Sequence, residues 1–242
     1  MIFLDNSFLI NLKRRSDRLN NFLQKYKWNI NIIEAVDGRQ LKYDSSSNLL
    51  YQDNILLERK LISKISGLKL GEIGCFISHY SIWKKIITIN KACLIFEDDA
   101  IIVDDFNNKL SNILSSGIPD NFDILWLGIR QNYIQRKFYN ENIKINKDKL
   151  INTHFYQYTN TNHNPFYPYS YIISPNACKI LCDIFEYKNA SFPAVDHFMC
   201  SNLKNNYICV NNDLEPFLCH AEQGGDTDIQ SFNNKENNIF LQ

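Results

Sequence analysis

Short, largely apolar runs recur along the chain at Phe8 to Leu12, Ile30 to Ile33, Cys93 to Phe96, Asp123 to Ile129, Tyr169 to Ile173 and Tyr207 to Val210. The Cys93 to Phe96 run shows no apolar–polar alternation, which is expected of a strand covered on both faces in a parallel or mixed sheet. Between the runs the period changes. Leu19, Phe22, Leu23 and Tyr26, then Ile73, Phe76, Ile77, Tyr80, Trp83 and Ile87, and later Ala177, Ile180, Leu181 and Ile184, fall at helical spacing, each set giving one apolar stripe to lay on a sheet. Ser16 reads as the N-cap of the first helix, and Ser174-Pro175 as a cap followed by an N1 proline. Asp104 to Ser116 reads as a surface helix closed by Gly117 and Pro119, and Pro193 to Phe198 as the start of another. This alternation predicts an α/β fold in one domain, a mixed, mostly parallel sheet flanked by helices. Residues 41–70 and 130–164 lose periodicity and fill with Ser, Asn, Lys and Tyr, so the first is predicted to be a mobile loop or short helices and the second a variable insertion able to meet a substrate.

The apolar run at Cys93 ends abruptly in Glu97, Asp98 and Asp99. Three carboxylates cannot follow a buried strand into the core unpaired, so they belong at its carboxyl end, where such sheets bind ligands. Hard oxygen ligands there suit Mg²⁺ or Mn²⁺, which commonly bridge to substrate phosphates; the plainer alternative is an acidic turn. After the first strand come Lys13, Arg14, Arg15 and Arg18 at the opening of a helix. Guanidinium groups fork onto phosphate oxygens and helix N-termini attract anions, although these arginines could equally be solvated. Asp37, in the Asp37-Gly38 turn after the second strand, could accept hydrogen bonds from a ribose or a base. His79 sits off the stripe of its helix, and a helix histidine is more often a structural hydrogen-bonding group than a catalyst.

Composition narrows the partners. Twenty-six basic and 26 acidic residues in 242 leave no net field to attract nucleic acid or an anionic membrane. Seven cysteines without a Cys-x-x-Cys pair fit reduced core residues in a cytoplasmic protein better than a disulfide framework or a zinc ribbon. The helical pairs Cys178/Cys182 and Cys75/His79 are not expected to bind a metal without further ligands nearby. The start of the chain does not read as a signal peptide, and no run approaches the roughly 18 apolar residues of a membrane span.

Three segments together, Ile10 to Arg18, Gly71 to His79 and Leu94 to Ala100, resemble glycosyltransferase family 25, the family of bacterial lipooligosaccharide galactosyltransferases with the collagen galactosyltransferases as relatives. Pro193 to Phe198 and His220 to Asp228 extend the likeness over most of the chain. The resemblance implies a GT-A-like fold, a UDP-sugar donor, a glycan acceptor and a divalent metal. The family's Asp-x-Asp-type motif falls on Glu97-Asp98-Asp99, with Asp99 as the metal ligand and Glu97 and Asp98 toward the donor. His220 becomes a further ligand by analogy with GT-A enzymes. Asn11, Arg14, Ala35, Val36 and Asp37 would line the uridine and diphosphate, and Asp196, in the family's Pro-Val-Asp motif, would be the general base. Two departures from the pattern, Ala194 between Pro193 and Val195 and His197 after the aspartate, bear on acceptor choice. Nucleic acid is not an implied partner, and the enzyme expected is cytoplasmic, with peripheral contact to the inner membrane face compatible with it.

An inverting transfer needs one base to take the acceptor proton and one cation to neutralise the departing diphosphate, and no covalent nucleophile. A phosphatase using the same acidic cluster would need a nucleophilic Asp after the first strand, where Leu12 and Lys13 stand. A non-catalytic carbohydrate-binding protein is the other alternative.

Overall fold

The computed structural model describes residues 6–44, 49–52, 55–58, 61, 63–128, 150–151, 154–158, 168–210 and 218–220. Strand β1 (Ser7–Asn11), helix α1 (Ser16–Lys25) and strand β2 (Asn31–Glu34) open the fold, and β2 lies parallel to β1 with Phe8 opposite Asn31. Ser16 is the first helical residue instead of the cap: the Arg15 N–H donates to the Leu12 carbonyl at 2.7 Å, and the Arg15 guanidinium is held by Asp17. Burial of Phe22 against Phe96, with ring centroids 4.9 Å apart, seats α1 on the sheet.

The stretch 41–70 corrects the expectation of a loop or short helices. It contains β3 (Lys42–Asp44), β4 (Leu49–Gln52) and β5 (Ile55–Glu58), paired antiparallel as a separate three-stranded sheet. Its polar average conceals two short apolar runs, Leu49 to Tyr51 and Ile55 to Leu57, which local hairpin pairing converts to strands.

Helix α2 (Leu70–Ile89) starts where the Lys69 N–H donates to the Glu72 carboxylate at 2.8 Å, and it ends at Asn90, left-handed at φ 54°. Then follow β6 (Cys93–Glu97), β7 (Ile101–Ile102), α3 (Phe106–Ser115), β8 (Ile124–Trp126), β9 (Leu150–Ile151), β10 (Phe155–Tyr158), β11 (Ser170–Ile173), α4 (Pro175–Tyr187), α5 (Val195–Asn202), β12 (Asn206–Cys209) and β13 (Cys219–His220). The Ser174 hydroxyl accepts from the Ala177 N–H at 3.1 Å, capping α4 as its sequence predicts. Of the stretch 130–164, residues 150–151 and 154–158 are described and supply β9 and β10; the others, like the tail from Ala221 to Asp228, lie outside the described residues.

Eight strands from both halves of the chain form one sheet in the order β2-β1-β6-β11-β8-β12-β10-β9. From the pairings, β2, β1, β6, β8, β12 and β9 run one way, and β11 and β10 run the other. The mixed, mostly parallel α/β sheet expected from the pattern is therefore what forms. Alternate residues serve two cores: Cys93 and Ile95 of β6 join the core under α2, α4 and α5, and Leu94 and Phe96 the one under α1 and α3. Phe76 of α2 is wholly buried, 4.9 Å from Phe185 and 5.1 Å from Phe198 between ring centroids, and its truncation to Ala would cost about 3–5 kcal/mol.

Candidate functional site

Because β2, β1 and β6 are adjacent and parallel, their carboxyl ends open on one edge of the sheet, and α2 begins beside them. Between these ends lies a cavity whose walls include Arg14 and Arg18 after β1, Ala35, Val36 and Asp37 after β2, and Glu97, Asp98 and Asp99 after β6. The approach of α2 is close. A Cβ on Gly38 would lie 2.2 Å from the Leu70 carbonyl oxygen, and one on Gly74 would lie 2.4 Å from that of Val36. Ser78 completes the wall, its hydroxyl accepting from the Val36 N–H at 2.9 Å and donating to the Gly74 carbonyl at 2.8 Å.

The three neighbouring carboxylates meet different surroundings. Asp98 accepts from Asn11 Nδ2 at 2.7 Å, the Leu12 N–H at 3.2 Å and Arg18 at 3.1 Å, so it ties β6 to the turn after β1. Burial raises its carboxyl above the ordinary range, with Arg18 and the hydrogen bonds opposing. Asn11, expected at the nucleotide, reaches the site through this bond and also donates to the Arg15 carbonyl. Asp37 accepts from Arg14 Nε at 2.8 Å and from the Arg39 N–H at 3.0 Å, so it holds an arginine at the cavity wall and caps a 3-10 turn.

Glu97 and Asp99 have oxygens to spare. Glu97 Oε1 meets His79 Nε2 at 2.8 Å and the Cys75 thiol at 3.4 Å, while Oε2 has no hydrogen-bond partner among the described residues. Asp99 Oδ1 is buried without a hydrogen bond among the described residues. Burial, then the charge of Glu97, pushes the Asp99 carboxyl up to about 7. The Cys75 thiol is driven well above its ordinary range, chiefly by burial and next by Glu97. Cys75, His79 and Glu97 offer atoms within 4.8 Å of one another, a set that could hold a metal, but the direct His79–Glu97 contact fills that space with a hydrogen bond.

Of the sequence-predicted residues, Arg14, Ala35, Val36, Asp37, Glu97, Asp98 and Asp99 line the one cavity. Asp196, in the first turn of α5, is outside that lining, yet its charge acts on Cys75 and the charge of Glu97 acts on it. Burial raises its carboxyl above the ordinary aspartate range. His220 lies on β13 opposite Ile101 of β7, the strand that starts two residues after Asp99. Sequence reasoning left Ser78 without a role at the site; it weighed Arg18 only as one of a group of anion-binding or solvated arginines, and Cys75 only in a pair with His79. The signal for Arg18 was its place in the first turn of α1, after the anion-suited turn; nothing local marked Ser78, which bonds Gly74 of its own helix and Val36 of another segment.

The family model described as "Glycosyltransferase family 25 (LPS biosynthesis protein)" matches residues 4–199, spanning α1, α2, the acidic end of β6 and the first turns of α5. The chain belongs to this family. Among family members, human procollagen galactosyltransferase 2 is 37% identical over 139 residues, covering 55% of this chain and 21% of that protein. The human inactive glycosyltransferase 25 family member 3 is 33% identical over 139 residues, 54% of this chain and 22% of that one. A mimivirus procollagen lysyl hydroxylase and glycosyltransferase is 30% identical over 142 residues, 51% of this chain and 15% of that one. The chain thus spans about a fifth of the length of the two human relatives and less of the mimivirus protein. A solved active-site mutant of LgtC aligns over 97% of this chain and 95% of that one, with a TM-score of 0.44 and 9% identity. Among the described residues, no helix is long and apolar enough to cross a membrane.

Proposed function

We propose that this chain is an inverting hexosyltransferase of GT-A type, moving a sugar, galactose before others, from a UDP-sugar to a saccharide acceptor of a surface glycan such as lipooligosaccharide. The observation that supports it is the cavity itself, where two carboxylate-held arginines face a pair of carboxylates with unused oxygens, in a chain of this family. Arg14 and Arg18 bind and orient the diphosphate, because Asp37 and Asp98 fix each guanidinium in place. Ala35 and Val36 form the apolar floor for the base, and Glu97 contacts the donor sugar or ribose.

The partnerless Oδ1 of Asp99 beside Glu97 fits a divalent cation, for which His220 is the further candidate ligand. Mn²⁺ or Mg²⁺ held there would supply charge neutralisation at the departing diphosphate. Asp196 takes the proton from the acceptor hydroxyl as it attacks the anomeric carbon, and its raised carboxyl brings it nearer the working pH of a base. The names of the procollagen relatives favour a second reading, in which the acceptor is a hydroxylated lysine of a protein.

Incubation with UDP-galactose, UDP-glucose and UDP-N-acetylglucosamine, with Mn²⁺ or chelator, tests the donor and the metal by UDP release. Saccharide and hydroxylysine-peptide acceptors then separate the two readings. A β-linked product from an α-linked donor is expected from its anomeric coupling. An α-linked product overturns inversion, and donor binding with no release under any condition favours a non-catalytic carbohydrate-binding protein.

A further inference from the structure

Behind the cavity a chain of hydrogen bonds runs through the core. Trp83 Nε1 lies 3.3 Å from the Tyr171 hydroxyl, that hydroxyl 2.6 Å from His79 Nδ1, and His79 Nε2 2.8 Å from Glu97 Oε1. Trp83, Tyr171 and His79 are each 0% exposed. The chemistry of the end groups sets its direction. An indole N–H can only donate, so Tyr171 accepts from Trp83 and gives its own hydrogen to Nδ1, which leaves the imidazole proton on Nε2 to donate to Glu97. A proton on Nδ1 would leave the Tyr171 hydroxyl hydrogen with no acceptor among the described residues.

The three donors come from two elements on one side of the sheet: Trp83 and His79 lie one helical turn apart on α2, and Tyr171 is on β11, opposite Ile95 of β6. Such a relay is more than packing. A buried hydroxyl and two buried rings aligned on one carboxylate oxygen leave the other oxygen of Glu97 as the one available to the cavity that Glu97 lines.

We propose that His79 is a positioning residue for Glu97: Trp83 and Tyr171 hold its imidazole as the Nε2–H tautomer, and it orients the Glu97 carboxylate toward the donor. The role rests on the transferase reading, since it presumes that Glu97 touches a nucleotide sugar.

Long-range proton–nitrogen spectra of ¹⁵N-histidine-labelled protein test the relay without turnover. Nδ1 is expected to resonate as an unprotonated and Nε2 as a protonated nitrogen, with Tyr171→Phe losing that bias; a proton on Nδ1 in the wild type overturns the relay. Kinetics with a UDP-hexose test the positioning. His79→Leu should lower kcat/KM about tenfold, as expected when a hydrogen bond to a charged group is lost, and Tyr171→Phe, which loses only a bond between neutral groups, by a smaller factor. His79→Gln, whose amide N–H can stand near the place of Nε2–H, should retain most of the rate. On a Glu97→Gln background His79→Leu should cost less than about twofold more, because coupled residues are non-additive. An equal loss on both backgrounds means that His79 only packs, and sinks the proposal. Thermal melting of each variant separates loss of fold from loss of rate. If the wild type neither binds nor turns over any UDP-hexose, the transferase reading fails and takes the positioning role with it, whereas the nitrogen spectra judge the relay separately.

Discussion

Glu97, Asp98 and Asp99 differ in what their oxygens already hold. Asp98 is consumed by Asn11, Leu12 and Arg18, whereas Asp99 keeps a buried oxygen with no hydrogen bond. Asp99→Asn should therefore abolish metal-stimulated UDP binding, since a neutral amide removes the charge facing the cation. Titration calorimetry with and without Mn²⁺ checks this, and an undiminished Mn²⁺ effect would take Asp99 out of the site. The same residue predicts a pH dependence in metal-free protein. Its folded carboxyl, raised from 3.8 to about 7, holds its proton where the unfolded chain has lost it. The stability it contributes is complete below 3.8 and is lost as pH rises through about 7. Between those limits, chelator-treated wild type should lose Tm more steeply than Asp99→Asn; parallel curves would contradict the shift.

At the scale of elements, a close approach at the site and a helix cap away from it predict different outcomes. Gly38 lets the N-terminus of α2 touch the segment after β2, so Gly38→Ala would drive a Cβ into the Leu70 backbone and displace the wall that carries Cys75, Ser78 and His79. Both thermal stability and UDP affinity should fall. Ser174→Ala is the contrasting case. Ile173 pairs with Cys93 at the start of β6, so the cap of α4 lies at the opposite sheet edge from Glu97. Its loss should cost about 1 kcal/mol, a fall in Tm of about 2–4 °C, with UDP binding unchanged. A change in UDP affinity in Ser174→Ala, or none in Gly38→Ala, would show that the cavity does not bind the nucleotide as argued.

For the whole molecule, the packing of α5 against α2 brings Asp196 near enough to the carboxyl end of β6 for the charge of Glu97 to act on it. Asp196→Asn preserves size and removes proton affinity. With a working acceptor, kcat should fall by about two to four orders of magnitude while UDP affinity and Tm hold, since the base acts on the acceptor. Because burial raises the Asp196 carboxyl, the acid limb of the wild-type kcat profile should lie above 3.8. Near-normal turnover in the variant would move the base role elsewhere, with Asp228 next to be tested.

The fold class was legible in the chain because burial writes its period directly into the side chains. The unbroken run ending at Glu97, the helical stripe from Ile73 to Ile87 and the Ser174-Pro175 cap each describe a local interaction that needs no distant partner. The segments that resemble the family were legible for the same reason, being contiguous. What tertiary structure alone decided is which partners each carboxylate meets. Asp37 and Asp98 look from the sequence like ligand-binding acids, yet each is committed to an arginine, brought 23 residues away in one case and 80 in the other. The insertion of β11 between β6 and β8, against chain order, places Tyr171 behind His79. Hydrogen-bond partners of this kind are set by strand order and register, which depend on how two cores pack across the sheet, and no periodicity along the chain records them.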